Sequence, residues 1–168
     1  MHIRRLQVCD APVYRAFRLR ALHEHPDAFT SSFEEENARP LADSEKRLAT
    51  EGAEKFWGAF VDGEIAGMVG LNRETRAKCR HQAALVGMYV AGEHAGQGLG
   101  RALVAALLQE ARDCGVELVV LSVTDGNKAA CALYTRAGFR ALGVQPDAIR
   151  VGGVTFGKQL MYLQLPAA

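Results

Sequence analysis

The sequence predicts an α+β fold in which antiparallel strands come first and a strand, helix, strand step follows. Three observations carry that prediction. "KFWGAFVDGEIAGMVGLN" (residues 55–72) sets two apolar segments around Asp62 and Gly63, the short-range signature of a β-hairpin. "AALVGMYV" (83–90), a glycine-rich turn, a helix-prone segment and the apolar run "ELVVLSV" (117–123) come in an order that makes one parallel step. Finally, 168 residues with 49% apolar and 23% charged side chains suit one domain, 1–168, with a single sizeable core.

Element by element, residues 3–8 read as a short strand. Asp10, Ala11 and Pro12 then start a helix, because a carboxylate can cap free amides and proline suits the first turn. Val13, Phe17 and Leu22 give that helix an apolar face, and it ends near Pro26. A polar helical piece covers Leu41 to Thr50. After the hairpin, the basic connection "RETRAKCRHQ" (73–82) leads to the third strand of the set. Leu99, Leu103, Leu107 and Ala111 recur every four residues in the next helix, which Gly115 closes. Beyond "ELVVLSV" come a helix from Asn127 to Ala137 and two late strands, "FRALGV" and "GKQLMYLQL".

Twenty basic and nineteen acidic residues leave a formal charge of +1, which carries no general pull toward nucleic acid or an anionic membrane. Any anion site must therefore be local. Cys9, Cys79, Cys114 and Cys131 are scattered singly, without the spacing of a zinc site or the density of a disulfide scaffold. They read as reduced thiols of a cytoplasmic protein that uses no metal. The charged start "MHIRR" excludes a signal peptide's apolar core, and no apolar run reaches membrane-spanning length.

Chemistry concentrates in "AGEHAGQGLGRAL" (91–103). A glycine-rich turn between a strand and a helix aims several backbone N–H groups one way, beside the positive end of the helix dipole, and so makes a phosphate cradle. A triphosphate loop needs lysine and then serine or threonine after its last glycine, where this chain has Arg101 and Ala102. A dinucleotide fingerprint needs a glycine at Arg101, and the glycine stands at Gly100. By themselves three alternate glycines are also compatible with a tight loop that binds nothing.

A second segment, "NKAACALYTRAGF" (127–139), narrows the choice. Together the two resemble the motifs of the GCN5-related N-acetyltransferase (GNAT) superfamily: arginine or glutamine, two residues, glycine, one residue, glycine or alanine at a helix start, and farther on asparagine, a helix with leucine and tyrosine, then glycine and phenylalanine. The resemblance is strong over Phe56 to Phe139, and "LRALHEHPDAFTSSFEEE" (19–36) is similar to the first helices and loop of many bacterial members. It implies the GNAT, or acyl-CoA N-acyltransferase, fold, with about six to seven strands, a splayed parallel pair and about four helices. One departure stands out. The usual arginine or glutamine is Ala95 here.

The resemblance implies acetyl-CoA as cosubstrate. Its pyrophosphate would lie on the turn formed by Ala95, Gly96, Gln97, Gly98, Leu99, Gly100 and Arg101, with Gln97 and Arg101 placed to compensate for Ala95. Its arm would lie along the strand at Met88, Tyr89 and Val90, with main-chain bonds from Met88 and Val90; Gly87 in mid-strand reads either as easing a bulge or as a packing glycine. Asn127 would touch the arm or cap a helix, and Tyr134 would be the general acid. That last role is chemically sound, since a phenol of pKa about 10 can protonate a thiolate whose acid has a pKa of about 8.5.

The acceptor amine must lose a proton, yet no carboxylate stands in "AALVGMYV". Glu34, Glu35, Glu36, His81 and Asp125 are the candidate bases, but each reads better as a solvated charge, and the base is left unassigned. Arg73, Arg76, Lys78, Arg80 and His81 suit either a phosphate or a solvated loop. Specificity is expected in "HPDAFTSSFEEENARP" (25–40) and "PDAIRVGGVTFG" (146–157), read as loops that wall the cleft. Three functions stay open: acetylation of a small amine or amino acid, acetylation of a protein N-terminus or lysine, and coenzyme A binding without catalysis. Late strands of this kind also leave a homodimer open.

Overall fold

A computed structural model of the chain describes residues 1–49 and 51–166. Seven strands form one sheet: β1 (His2–Arg5), β2 (Glu54–Val61), β3 (Glu64–Arg73), β4 (Gln82–Val90), β5 (Leu118–Thr124), β6 (Arg140–Val151) and β7 (Val154–Gln164), in the order β1-β2-β3-β4-β5-β7-β6. Every neighbouring pair is antiparallel except β4 with β5. Five helices accompany it: α1 (Ala11–Glu24), α2 (Phe33–Asn37), α3 (Leu41–Leu48), α4 (Leu99–Asp113) and α5 (Lys128–Arg136). The predicted α+β class therefore holds, with the parallel step where the sequence puts it.

The sheet separates two apolar cores. Trp57, Ala59, Val69 and Leu71 turn toward α4 and α5, and Phe56 and Met68, offset by one position, turn toward α1 and α3. α4 buries the predicted row Leu99, Leu103, Leu107 and Ala111, widened by Val104 and Leu108. Gly115 ends it at φ +70, with Val116 donating back to the Ala111 carbonyl. The β2–β3 turn has positive φ at both Asp62 (51°) and Gly63 (87°), the backbone twist that joins right-twisted strands.

Several expectations need correction. The first strand stops at Arg5, and a 3-10 turn at Val8–Asp10 follows. Asp10 does not cap α1 through its side chain; its carboxylate instead takes Arg4 at 2.7 Å and the Gln7 N–H at 2.8 Å, the stronger charged partner winning. The helix expected over Leu41 to Thr50 ends at Leu48, and Thr50 lies outside the described residues. The segment read as an early loop contains α2, nucleated by the reciprocal bonds of Ser32 and Glu35. The segment read as a late loop, 146–157, is mostly strand: β6 and β7 run on to a turn at Gly152 and Gly153, and a bulge with Asp147 at φ 48 absorbs the break in register.

Candidate active site

β4 is the strand around which the site is organised. Gly70 of β3 faces Val86 and Met68 faces Tyr89, so β4 carries one extra residue there. Gly87 adopts φ +61 at this bulge. The bulge resets the side-chain alternation: Ala83 and Leu85 point to the α4 side before it, Met88 and Val90 point to the same side after it, and Tyr89 is turned toward α1. On its other edge β4 pairs with β5 only through residues 82–84 against 118–120. Past that point the two strands part, and the main-chain groups of β4 that face β5 have no strand beside them among the described residues.

At the end of β4 the chain turns into α4. Gly98 caps it at φ +84, and the first helical bond is from the Ala102 N–H to the Gly98 carbonyl, at 3.1 Å. The N–H groups of Leu99, Gly100 and Arg101 thus have no acceptor within the helix and lie at its positive end. A Cβ on Gly96 (φ +77) or Gly98 would meet nothing within 4 Å, so the backbone here is bare and approachable. Gly100 serves a different end, since a side chain there would press on Leu133 at 3.2 Å and Met88 at 3.3 Å.

α5 supplies the opposite wall. Asn127 accepts the Ala130 N–H at 3.1 Å, which makes it the helix cap. Two turns on, Tyr134 is buried with its ring edge-on to Phe139, centroids 5.8 Å apart. That burial pushes its phenol well above the usual tyrosine range.

The splayed strands, the α4 turn and α5 enclose one cavity of about 980 Å³. Met88, Tyr89 and Val90 line it, as do Ala95, Gly96, Gly98, Leu99, Gly100 and Arg101, then Asn127 and Tyr134. Gln97 is the one predicted site residue that does not; its side chain turns to the Glu93 carbonyl and to His94. None of the candidate bases lines the cavity either. Glu34 faces a separate pocket of about 470 Å³, Glu35 caps α2, Glu36 is buried on Arg47, and His81 and Asp125 are exposed. The basic connection stays at the surface, where Arg76 pairs with Glu74.

The loop after α1 walls the cavity, as the reading of residues 25–40 expects, but sequence reasoning missed Tyr14 and Arg18 on α1, Arg47 on α3 and Glu54 on β2. Tyr14, Arg18, His25, Asp27, Arg47 and Glu54 all reach the cavity. Four arginines, Arg18, Arg47, Arg101 and Arg136, face it against two carboxylates, Asp27 and Glu54, so a nearly neutral chain presents a locally basic cleft. Arg47 holds Glu36 at 3.0 Å and Glu54 at 3.1 Å. The loop itself is tied down from below: the buried Lys158 ammonium donates to the carbonyls of Asp27 (3.0 Å) and Ala28 (3.1 Å) and to Thr124 Oγ1 (2.9 Å), and Thr124 donates to Asp27 at 2.7 Å. Burial lowers the Lys158 pKa from its ordinary value. No sequence period marks such a lysine.

Residues 19–139 match the model of the acetyltransferase (GNAT) family. The chain belongs to the GNAT family. Among solved structures, a GNAT acetyltransferase from Streptococcus pneumoniae superposes with a TM-score of 0.89 at 25% identity, covering 98% of this chain and 99% of that one. A Salmonella typhimurium protein solved with its cofactor acetyl-CoA shares the fold, with a TM-score of 0.82 at 24% identity over 100% and 95% of the two chains. Among curated proteins, N-acetyltransferase 8 of Rattus norvegicus is 36% identical over 104 residues, 61% of this chain and 47% of that protein. The L-amino acid N-acyltransferase MnaT of Escherichia coli is 36% identical over 80 residues, 46% and 44% of the two. This GNAT chain thus spans under half the length of those curated relatives. Among its described residues no helix is long and apolar enough to cross a membrane, and no group of three or more His, Cys, Asp and Glu side chains is placed to hold a metal.

Proposed function

We propose that this GNAT protein is an N-acetyltransferase that moves the acetyl group of acetyl-CoA to the primary amine of a small molecule of the amino-acid class. One observation carries the reading: an unpaired strand edge, a row of free helix N–H groups and a buried phenol all open on one cavity. The bare backbone at Gly96 and Gly98 fits a pyrophosphate, which a Cβ would hold off. Acetyl-CoA supplies an activated thioester, which an amine attacks without a protein nucleophile. The N–H groups of residues 98–101 hold the phosphates, and the main chain of Met88 and Val90 bonds the amide-bearing arm as an added strand would. Arg101 and Arg136 offset the charge missing at Ala95. Asn127 is occupied on its Oδ1 by the cap, so its Nδ2 is the group left to reach the arm. Tyr134 keeps its proton well past neutral pH and gives it to the departing thiolate, and the proton that the acceptor nitrogen sheds as the amide forms returns through solvent to the phenolate. Much of the rate comes from alignment of amine and thioester in the cleft.

An amine panel incubated with the protein and acetyl-CoA, with free thiol followed over time, tests the reading. Thiol release with amino acids is the expected result. Tight acetyl-CoA binding with no release on any amine would make the protein a coenzyme A binder instead.

A further inference from the structure

Arg18 is the buried arginine of this cleft whose Nε and Nη1 have no hydrogen-bond partner among the described residues. It lies on the sheet-facing side of α1 and is 9% exposed, while its Nε and Nη1 are shielded from solvent and make no hydrogen bond. Its guanidinium sits 4.7 Å over the Phe29 ring, and Nη1 comes within 3.7 Å of the point where a Cβ on Gly87 would project. The group is therefore at the β4 bulge, on the acceptor side of the cavity. Burial lowers its pKa, against the opposing pull of the Glu36 and Glu54 carboxylates, but a guanidinium stays ionised at any ordinary pH. Arg47, its neighbour, is held by Glu36 and Glu54 and cannot share the same duty.

A buried guanidinium without a partner is destabilising, and an oxyanion that accepts from it reverses the penalty. Phe29, Phe56, Val86 and Gly87 line the cavity on this side together with Tyr14, Arg47 and Glu54, and Arg47 already occupies the Glu54 carboxylate. The phosphates of the cosubstrate belong at the other end of the cleft, on α4. We propose that Arg18 binds a carboxylate carried by the acceptor itself, so that the amine to be acetylated stands beside the β4 bulge and the acceptor is an α- or β-amino acid rather than a simple amine. This rests on the acetyl-transfer reading and extends it to a specificity-determining residue.

The test uses the full chain, the L-amino acids, and for each its methyl ester and its decarboxylated amine. In the wild type the free acids are the better acceptors. Arg18→Met, which keeps the length of the side chain and the contact with Phe29, should raise KM for the acids at least about thirty-fold, equivalent to about 2 kcal/mol at 1.4 kcal/mol per factor of ten. The KM for the decarboxylated amines and for acetyl-CoA should stay within about threefold, well under one such factor of ten. Arg18→Lys should recover part of the loss, since it keeps the charge but not the planar fork. Thermal melting of the Arg18→Met protein should be unchanged or higher, because a buried unpaired charge is removed. Equal losses for acids and amines, or a wild type that prefers the amines, would overturn the assignment. A calorimetric titration of the acids into the protein with coenzyme A separates this from the parent reading. If no acceptor releases thiol, the transfer reading fails, and Arg18 still stands or falls on whether Arg18→Met abolishes binding of the acids; a wild type that binds none of them refutes it.

Discussion

Gly98→Ala separates the cofactor cradle from ordinary backbone strain. Gly98 sits at φ +84, and a Cβ added there would meet nothing within 4 Å, so the folded state is affected through conformation and not through a clash. Placing an L-residue in the left-handed region costs about 1–2 kcal/mol. For a chain of this size that lowers Tm by roughly 2–8 °C. Gly115 supplies the control, because it has φ +70, equally open space and no place in the cavity. Gly115→Ala should lose the same stability and nothing else. Gly98→Ala also puts a methyl group on the bare turn where the proposed function seats the phosphates. Loss of one charge-assisted bond costs about 1.5–3 kcal/mol, so acetyl-CoA should bind roughly tenfold to a hundredfold more weakly. Paired melting curves and calorimetric titrations with acetyl-CoA read both effects. If Gly98→Ala weakens acetyl-CoA no more than Gly115→Ala does, the phosphates do not rest on this turn.

Tyr134→Phe should lower kcat by about a hundredfold or more, the ordinary contribution of a positioned acid, with acetyl-CoA affinity unchanged; stopped-assay rates against titrations distinguish the two. Because burial raises the Tyr134 pKa and the protonated form is the competent one, kcat should hold through pH 10 instead of falling with an ordinary phenol near about 10, and an alkaline limb below that value would contradict the role. Asn127→Asp should keep the α5 cap and melt within about 0.5 kcal/mol of wild type, whereas Asn127→Ala should lose about 1 kcal/mol, and both should bind acetyl-CoA more weakly if Nδ2 is the contact. Lys158→Met takes the donor from the Ala28 carbonyl, leaves Asp27 with Thr124 alone, and should destabilise by about 1–3 kcal/mol, measured by urea unfolding.

The side of the cavity built by the α4 turn and α5 was legible because its residues are close in sequence. Gly96, Gly98 and Gly100 announce a bare turn before an apolar helix, and Asn127 and Tyr134 lie on the next helix of the same parallel step. The bulge at Gly87 was foreseeable for a similar reason, being a glycine in the middle of a strand. The other side was illegible because it is assembled from distant segments: Arg18 on α1, Arg47 on α3 and Glu54 on β2 meet only after the sheet has closed. Arg18 occupies a helix position that looks like a surface charge, and only packing against Phe29 and Phe56 makes it an interior one. The late loop was misread for another physical reason, since Pro146 and Asp147 signal a break and the strand accommodates them as a bulge without ending.

Lys158 and Thr124 hold residues 27 and 28 by their carbonyl oxygens and take no notice of which side chains those residues carry. The path of this loop is therefore anchored to the sheet beneath it through main-chain atoms. Substitutions at residues 27 and 28 can change what the loop shows to the cleft while these main-chain anchors stay in place.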